Sequence, residues 1–156
     1  YGTDALRFSL LSKATNKDMK MADNDFLNAS KFINKIWQSF RFIDMHMSQN
    51  NTSYALNDNG AFSEHLNDLK LQFQTAMENR DFLNITRDIQ YSYKHYFCDE
   101  WIEQNKKAIF AGDQAILQHG LFILMSYMEL LHCFMPFITT YITEHFGFDD
   151  IISTQY

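Results

Sequence analysis

An all-α antiparallel helix bundle is the fold this sequence predicts, and three observations predict it. The 156 residues hold only one Pro and five Gly, so long elements run with few breakers. Val is absent, and the apolar load falls on Ile, Leu, Met and fifteen Phe, a choice that suits helices better than sheets. Apolar residues also recur every three or four positions, as in Ala29, Ile33, Ile36, Trp37, Phe40 and Ile43. At this length one domain buries roughly 70% of its unfolded surface, and a hydrophobic content of 46% supplies the core.

Residues 1–20 read as a connector and residues 21–156 as the helical domain. Within the connector, Asp4 to Ser12 suits a short helix with Leu6, Leu10 and Leu11 on one side. Residues 14–18 suit a polar turn. The first long helix begins near Asp23 to Asp25, whose side chains can cap free N–H groups, and runs to about Met47. Ser48 to Gly60, rich in Asn, reads as a mobile loop. A second helix covers Ala61 to Glu78 with Phe62, Leu66, Leu69 and Phe73 inward. A third runs from Asp81 to about Phe110 with Ile85, Ile89, Tyr93, Tyr96, Phe97 and Trp101 in the core. Ala111-Gly112-Asp113 breaks it. Asp113 then caps a fourth helix that reaches Leu131 or His132 and buries Ile116, Leu117, Leu121, Leu124 and Met128. Pro136 opens a fifth, ending near Phe146. Short connections favour antiparallel neighbours.

The net charge of −6 has the wrong sign for a general nucleic-acid binder. The cations are unevenly placed, however. Seven of the thirteen Lys and Arg fall in the first 41 residues, so one face can be basic while the remainder is acidic. No apolar run reaches the ~18 residues of a membrane span, and the start lacks the features of a signal peptide. Two cysteines, Cys98 and Cys133, form no disulfide framework and suit a reducing cytoplasm. Tyr1 opens the chain in place of Met, which reads as a piece of a longer protein.

The first long helix carries two stripes. Beside the apolar one, Asn24, Asn28, Lys31, Lys35, Gln38 and Phe42 also recur every three or four residues. Lys neutralises phosphate, amides bond base edges, and an aromatic ring stacks on a base. This combination suits unpaired nucleotides. The competing reading is a solvated face, or a face packed on another helix.

Four segments then resemble one family. Lys31-Phe32-Ile33-Asn34-Lys35-Ile36-Trp37-Gln38-Ser39-Phe40-Arg41-Phe42 is similar to the Arg-Asn-Phe-x-Asn-Lys-Leu-Trp-Asn-Ala-x-Arg-Phe helix that opens the anticodon-binding domain of valyl-tRNA synthetases. Tyr1-Gly2-Thr3-Asp4-Ala5-Leu6-Arg7-Phe8 resembles the segment that follows the Lys-Met-Ser-Lys-Ser loop of class I synthetases. Phe97-Cys98-Asp99-Glu100-Trp101-Ile102-Glu103 and Leu131-His132-Cys133-Phe134-Met135-Pro136-Phe137-Ile138-Thr139 resemble two further family segments. The resemblance implies the class I anticodon-binding bundle, with Lys35 and Phe42 meeting anticodon bases. Lys31, Asn34, Gln38 and Arg41 flank them, and Glu103 is placed to accept from a cytosine amino group, with a solvated Glu on a long helix as an equal reading. A salt bridge is an equal reading for Arg41. Where the family has a further basic residue, this chain has Asn24, which can bond a base edge but cannot neutralise phosphate. Glu100 replaces a family Trp, and Cys133 a family Pro.

The resemblance further implies a parent valine–tRNA ligase that uses ATP with magnesium, while this stretch has no catalytic residue, no cofactor and no metal of its own. Its implied partners are the anticodon arm of tRNA(Val) and the catalytic domain of the same chain. It implies a cytoplasmic monomer and no membrane contact. Lying next to that catalytic domain, residues 1–20 are expected to pack loosely here, with Asp4 and Arg7 supplying a helix cap and salt bridges. Corresponding domains of isoleucyl- or leucyl-tRNA synthetases share two of the four segments, although the Trp37 helix favours the valyl branch. A helical interaction module that binds no RNA is the third reading. The six His lack zinc-finger spacing. His132 suits a helix end, bonding free carbonyls, and Asp99 suits a Lys or Arg partner or a local cap. Phe122, Met125, Met128, Phe134 and Phe137 read as core.

Overall fold

The computed structural model describes residues 2–12 and 23–153 and contains only helices and their connections among them. They are α1 (Gly2–Ser12), α2 (Asp23–Gln49), α3 (Ser63–Asn79), α4 (Phe82–Ser92), a π-helical segment (Tyr93–Trp101), α5 (Ile102–Gln104), α6 (Lys106–Phe110), α7 (Gln114–Leu131), α8 (Pro136–Phe146) and α9 (Asp150–Ser153). The predicted polar turn at residues 14–18 lies outside the described residues.

α2 and the α4–α6 run lie side by side and point the same way. Phe32 meets Tyr93 edge-on at 5.8 Å, Ser39 Oγ shares a hydrogen bond with the Tyr93 hydroxyl, and His46 meets Phe110 at 5.2 Å. α7 returns antiparallel to both. Gly120 sits where Trp101 and Ile43 converge, and a Cβ there would fall 2.9 Å from the Trp101 ring. α3 and α4 form an antiparallel hairpin through Arg80, whose left-handed φ of 54° turns the chain. Asp113 accepts from Ile116 N at 3.2 Å and starts α7, as its position after a Gly break predicts.

α1 departs from expectation. It packs against α2, α4 and α8 rather than loosely. Its buried face is Asp4, Ala5, Phe8 and Ser9, whereas Leu6 and Leu10 are exposed. The reason is a capping requirement elsewhere. Pro136 opens α8 and Met135 at its N-cap has no side-chain oxygen to offer. Asp4, 0% exposed, supplies the carboxylate from far away in sequence, accepting from Phe137 N at 3.2 Å and Ile138 N at 2.7 Å. Arg7 Nε donates to the Cys133 carbonyl at 2.9 Å, and among the described residues it makes no salt bridge of the kind expected.

Three smaller expectations also give way. The loop after α2 is tied along its length: Thr52 N reaches the Met47 carbonyl, Asn57 N and Nδ2 reach the Gln118 and Ala115 carbonyls, and Tyr54 OH donates to Asp44. The third helix is not uniformly α. Its π-wound middle keeps Tyr93, Phe97 and Trp101 in ring contact while Tyr96 turns outward and stacks on His65 at 4.1 Å. Phe137 is exposed, since it is its backbone that faces Asp4. His132 bonds the Thr139 hydroxyl at 2.8 Å across the α7–α8 turn.

Candidate nucleic-acid interface

The two stripes of α2 separate cleanly. Ala29, Ile33, Ile36, Phe40 and Ile43 are buried, joined by Phe32 and Met47, and Trp37 packs half-buried against Phe40 and Tyr141. On the other edge Lys31, Asn34 and Gln38 are exposed, and Lys35 and Phe42 are half-buried. The Asn24 side chain lies outside the described residues.

Lys35 stands over the π segment. Burial pushes the nearby Cys98 thiol up to about 12, while the Lys35 charge pulls the other way. Two turns on, Phe42 meets His46 edge-on at 4.7 Å and Phe110 of α6 at 6.2 Å. Phe110 is 58% exposed, so this aromatic cluster opens to solvent at the seam between α2 and α6. His46 is buried within it, its Nε2 makes no hydrogen bond among the described residues, and burial holds its pKa below the ordinary value. Arg41 has the Trp37 ring beneath its guanidinium at 5.9 Å and makes no salt bridge among the described residues.

Glu103 is exposed on α5 and accepts from Lys106 Nζ at 3.4 Å, a solvated i,i+3 pair of small energetic weight. Ile102 beside it packs on the core. Asp99 pairs with His95 at 3.4 Å rather than with Lys or Arg. Among the described residues no group of three or more His, Cys, Asp or Glu gathers as metal ligands would.

The arrangement can therefore grip a polyanion and stack a base. It brings Lys31, Lys35, Gln38 and Phe42 onto one edge and sets Asn34 and Arg41 beside it, with Glu103 on the neighbouring run. Phe110 and His46 went unread in sequence because the aim of Phe110 depends on the π winding and on the break at Asn105, neither of which has a sequence rule. Arg87 and Lys94, which line a cleft with Lys31, were legible in principle, since two turns of helix place i and i+7 on one face.

A family model described as the anticodon-binding domain of tRNA ligase matches residues 59–156. Over its whole length the chain is 30% identical to a valine–tRNA ligase of Nitratidesulfovibrio vulgaris, covering 19% of it. It is 32% identical to one from Thermotoga maritima over 89% of this chain and 17% of that protein. It is 27% identical to one from Methanothermobacter thermautotrophicus over 94% of this chain, again 17% of the relative. The chain thus spans about a fifth of the length of the curated relatives it matches. No solved structure matches it. The family match begins after α2, whereas the match to the Nitratidesulfovibrio protein takes in α2 as well.

Proposed function

The chain belongs to the anticodon-binding domains of tRNA ligases, and from that membership we propose that it docks the anticodon arm of tRNA(Val) for a valine–tRNA ligase. The observation that carries this reading is the open edge of α2, where the cation of Lys35 and the ring of Phe42 stand two turns apart beside the exposed Phe110. In this reading Phe42 and Phe110 offer stacking surfaces to an unpaired base. Lys35 neutralises the phosphates beside that base. Gln38, Asn34 and Asn24 supply amides to base edges, and Lys31 and Arg41 add charge. Glu103 accepts from a cytosine amino group in exchange for its weak pairing with Lys106.

Recognition is all that this domain contributes. Activation of valine with ATP and magnesium, and transfer to the tRNA, belong to the catalytic domain of the parent. We place that parent in the cytoplasm as a monomer. Among the described residues no helix is long and apolar enough to cross a membrane.

The test is the affinity for tRNA(Val) and for a copy with a swapped anticodon at one fixed salt concentration. Tighter binding of the true anticodon is expected, and equal binding removes the specificity. Lys35→Ala and Phe42→Ala should each weaken binding by about 1–3 kcal/mol on the scale of base stacking. Lys70→Ala on α3, outside this edge, serves as the control. Losses no larger than the control's would count against the assignment.

A further inference from the structure

Along α2, below the Lys35–Phe42 edge, α1 lies against both α2 and α4. A cleft of about 530 Å³ opens there, lined by Lys31 of α2 and by Arg87 and Lys94 of the α4 run, with Ser12 and Asn28 at its walls. Three cations thus gather from two helices in a chain whose net charge is −6. None of the three forms an ion pair with a carboxylate among the described residues. Asp25 is the one carboxylate in the lining, and it sits in the first turn of α2, where the positive end of the helix offsets it. Lys94 is held in place by the Phe32 ring, 5.9 Å from its ammonium.

We propose that this cleft seats a phosphodiester of the tRNA backbone on Lys31, Arg87 and Lys94, a contact that positions the RNA without reading its sequence. The proposal rests on the anticodon-docking reading and extends it. From Lys31 to Phe42 the α2 axis rises roughly 16 Å, the length of about five stacked nucleotides at ~3.4 Å each. A strand whose base meets Phe42 therefore presents a phosphate to the cleft near the junction of loop and stem. Arg can bond a phosphate with two parallel N–H groups, and Lys adds point charge.

Arg87→Gln with Lys94→Gln in the full 156-residue chain tests this. The dissociation constant for tRNA(Val) should rise roughly three- to tenfold near ~0.1 M salt. The rise should be the same for the swapped anticodon. The slope of log affinity against log salt should fall by about 2, one for each cation lost. Arg87→Lys with Lys94→Arg should keep the slope, which separates charge from packing. An unchanged slope, a loss confined to one anticodon, or equal losses in both double variants would each overturn the proposal. If Lys35→Ala and Phe42→Ala leave anticodon preference intact while the Gln pair flattens the slope, base reading fails and the cleft stands. A chain that binds neither tRNA overturns both.

Discussion

The two sides of α2 carry opposite designs within the same twenty-seven residues. On the closed side every large side chain has a partner. Phe32 meets Phe8 and Tyr93, Ile43 meets Gly120, and Phe40 meets Phe146. Its polar element is a string of hydroxyls and an imidazole, in which Ser39 bonds Tyr93, while Tyr127 bonds Ser92 and Ser92 bonds His65. On the open side, Lys31 and Gln38 are exposed, Lys35 is half-buried, and Phe42 packs half-buried against the core edge and the rim cluster of His46 and Phe110. Burial and hydrogen bonding make the first side a determinant of stability. The second leaves its cations and rings available to something outside the chain. Substitutions should therefore divide into those that unfold the protein and those that spare the fold and cost binding.

The largest effect is expected at Asp4. Asp4→Ala removes a buried carboxylate from two α8 N–H groups and leaves both without a partner, a loss of about 2–4 kcal/mol from capping, helix-dipole and unsatisfied-donor terms together. Urea denaturation checks it. A change below about 1 kcal/mol would show that α1 is not a working part of the closed side. Gly120→Ala should follow at about 1–3 kcal/mol, since its Cβ would press on a buried Trp101 ring with no flexible end to yield. Lys35→Ala should change stability by no more than about 0.5 kcal/mol, since Lys35 is only half-buried and its ammonium makes no hydrogen bond or ion pair among the described residues. A melting midpoint well below wild type would place Lys35 on the closed side and remove the contrast.

The same contrast explains what was legible in the sequence. Spacing located α2, α7 and α8, together with Asp113 and Pro136 at their starts, because capping chemistry and apolar period are local. It set Leu6, Leu10 and Leu11 on one side of α1 without finding the helix's buried face. Leu6 and Leu10 are exposed, the decisive buried group is the Asp4 carboxylate, and the need for it arises more than 130 residues later. The π winding was illegible for a similar reason, since Tyr93, Phe97 and Trp101 are held in line by α2 and α7 rather than by their own propensities. At the candidate interface the residues on α2 were visible as a stripe. Of the groups on the neighbouring run, Phe110 depends on how that run is seated, while Arg87 and Lys94 share a helix face by spacing and only their meeting with Lys31 depends on that seating.

The smallest expected effect is pH dependence, and it too sorts by side. Burial holds His46, His65 and His132 below the ordinary imidazole value, with Arg7 adding to the effect at His132 and Asp68 and Glu100 opposing it at His65. A base whose folded pKa is depressed binds fewer protons folded than unfolded. Its contribution is complete above the unfolded value near 6.5 and is lost as pH falls from there toward the folded values. The urea midpoint should thus drop between about pH 7 and pH 5.5. His65 bonds Ser92 on the closed side, so His65→Gln should flatten part of that drop while leaving anticodon preference at pH 7 unchanged. A midpoint that holds steady or rises on acidification would mean that these imidazoles are not desolvated as their packing requires. A loss of anticodon preference in His65→Gln would mean that the closed side reaches through the bundle to the open one.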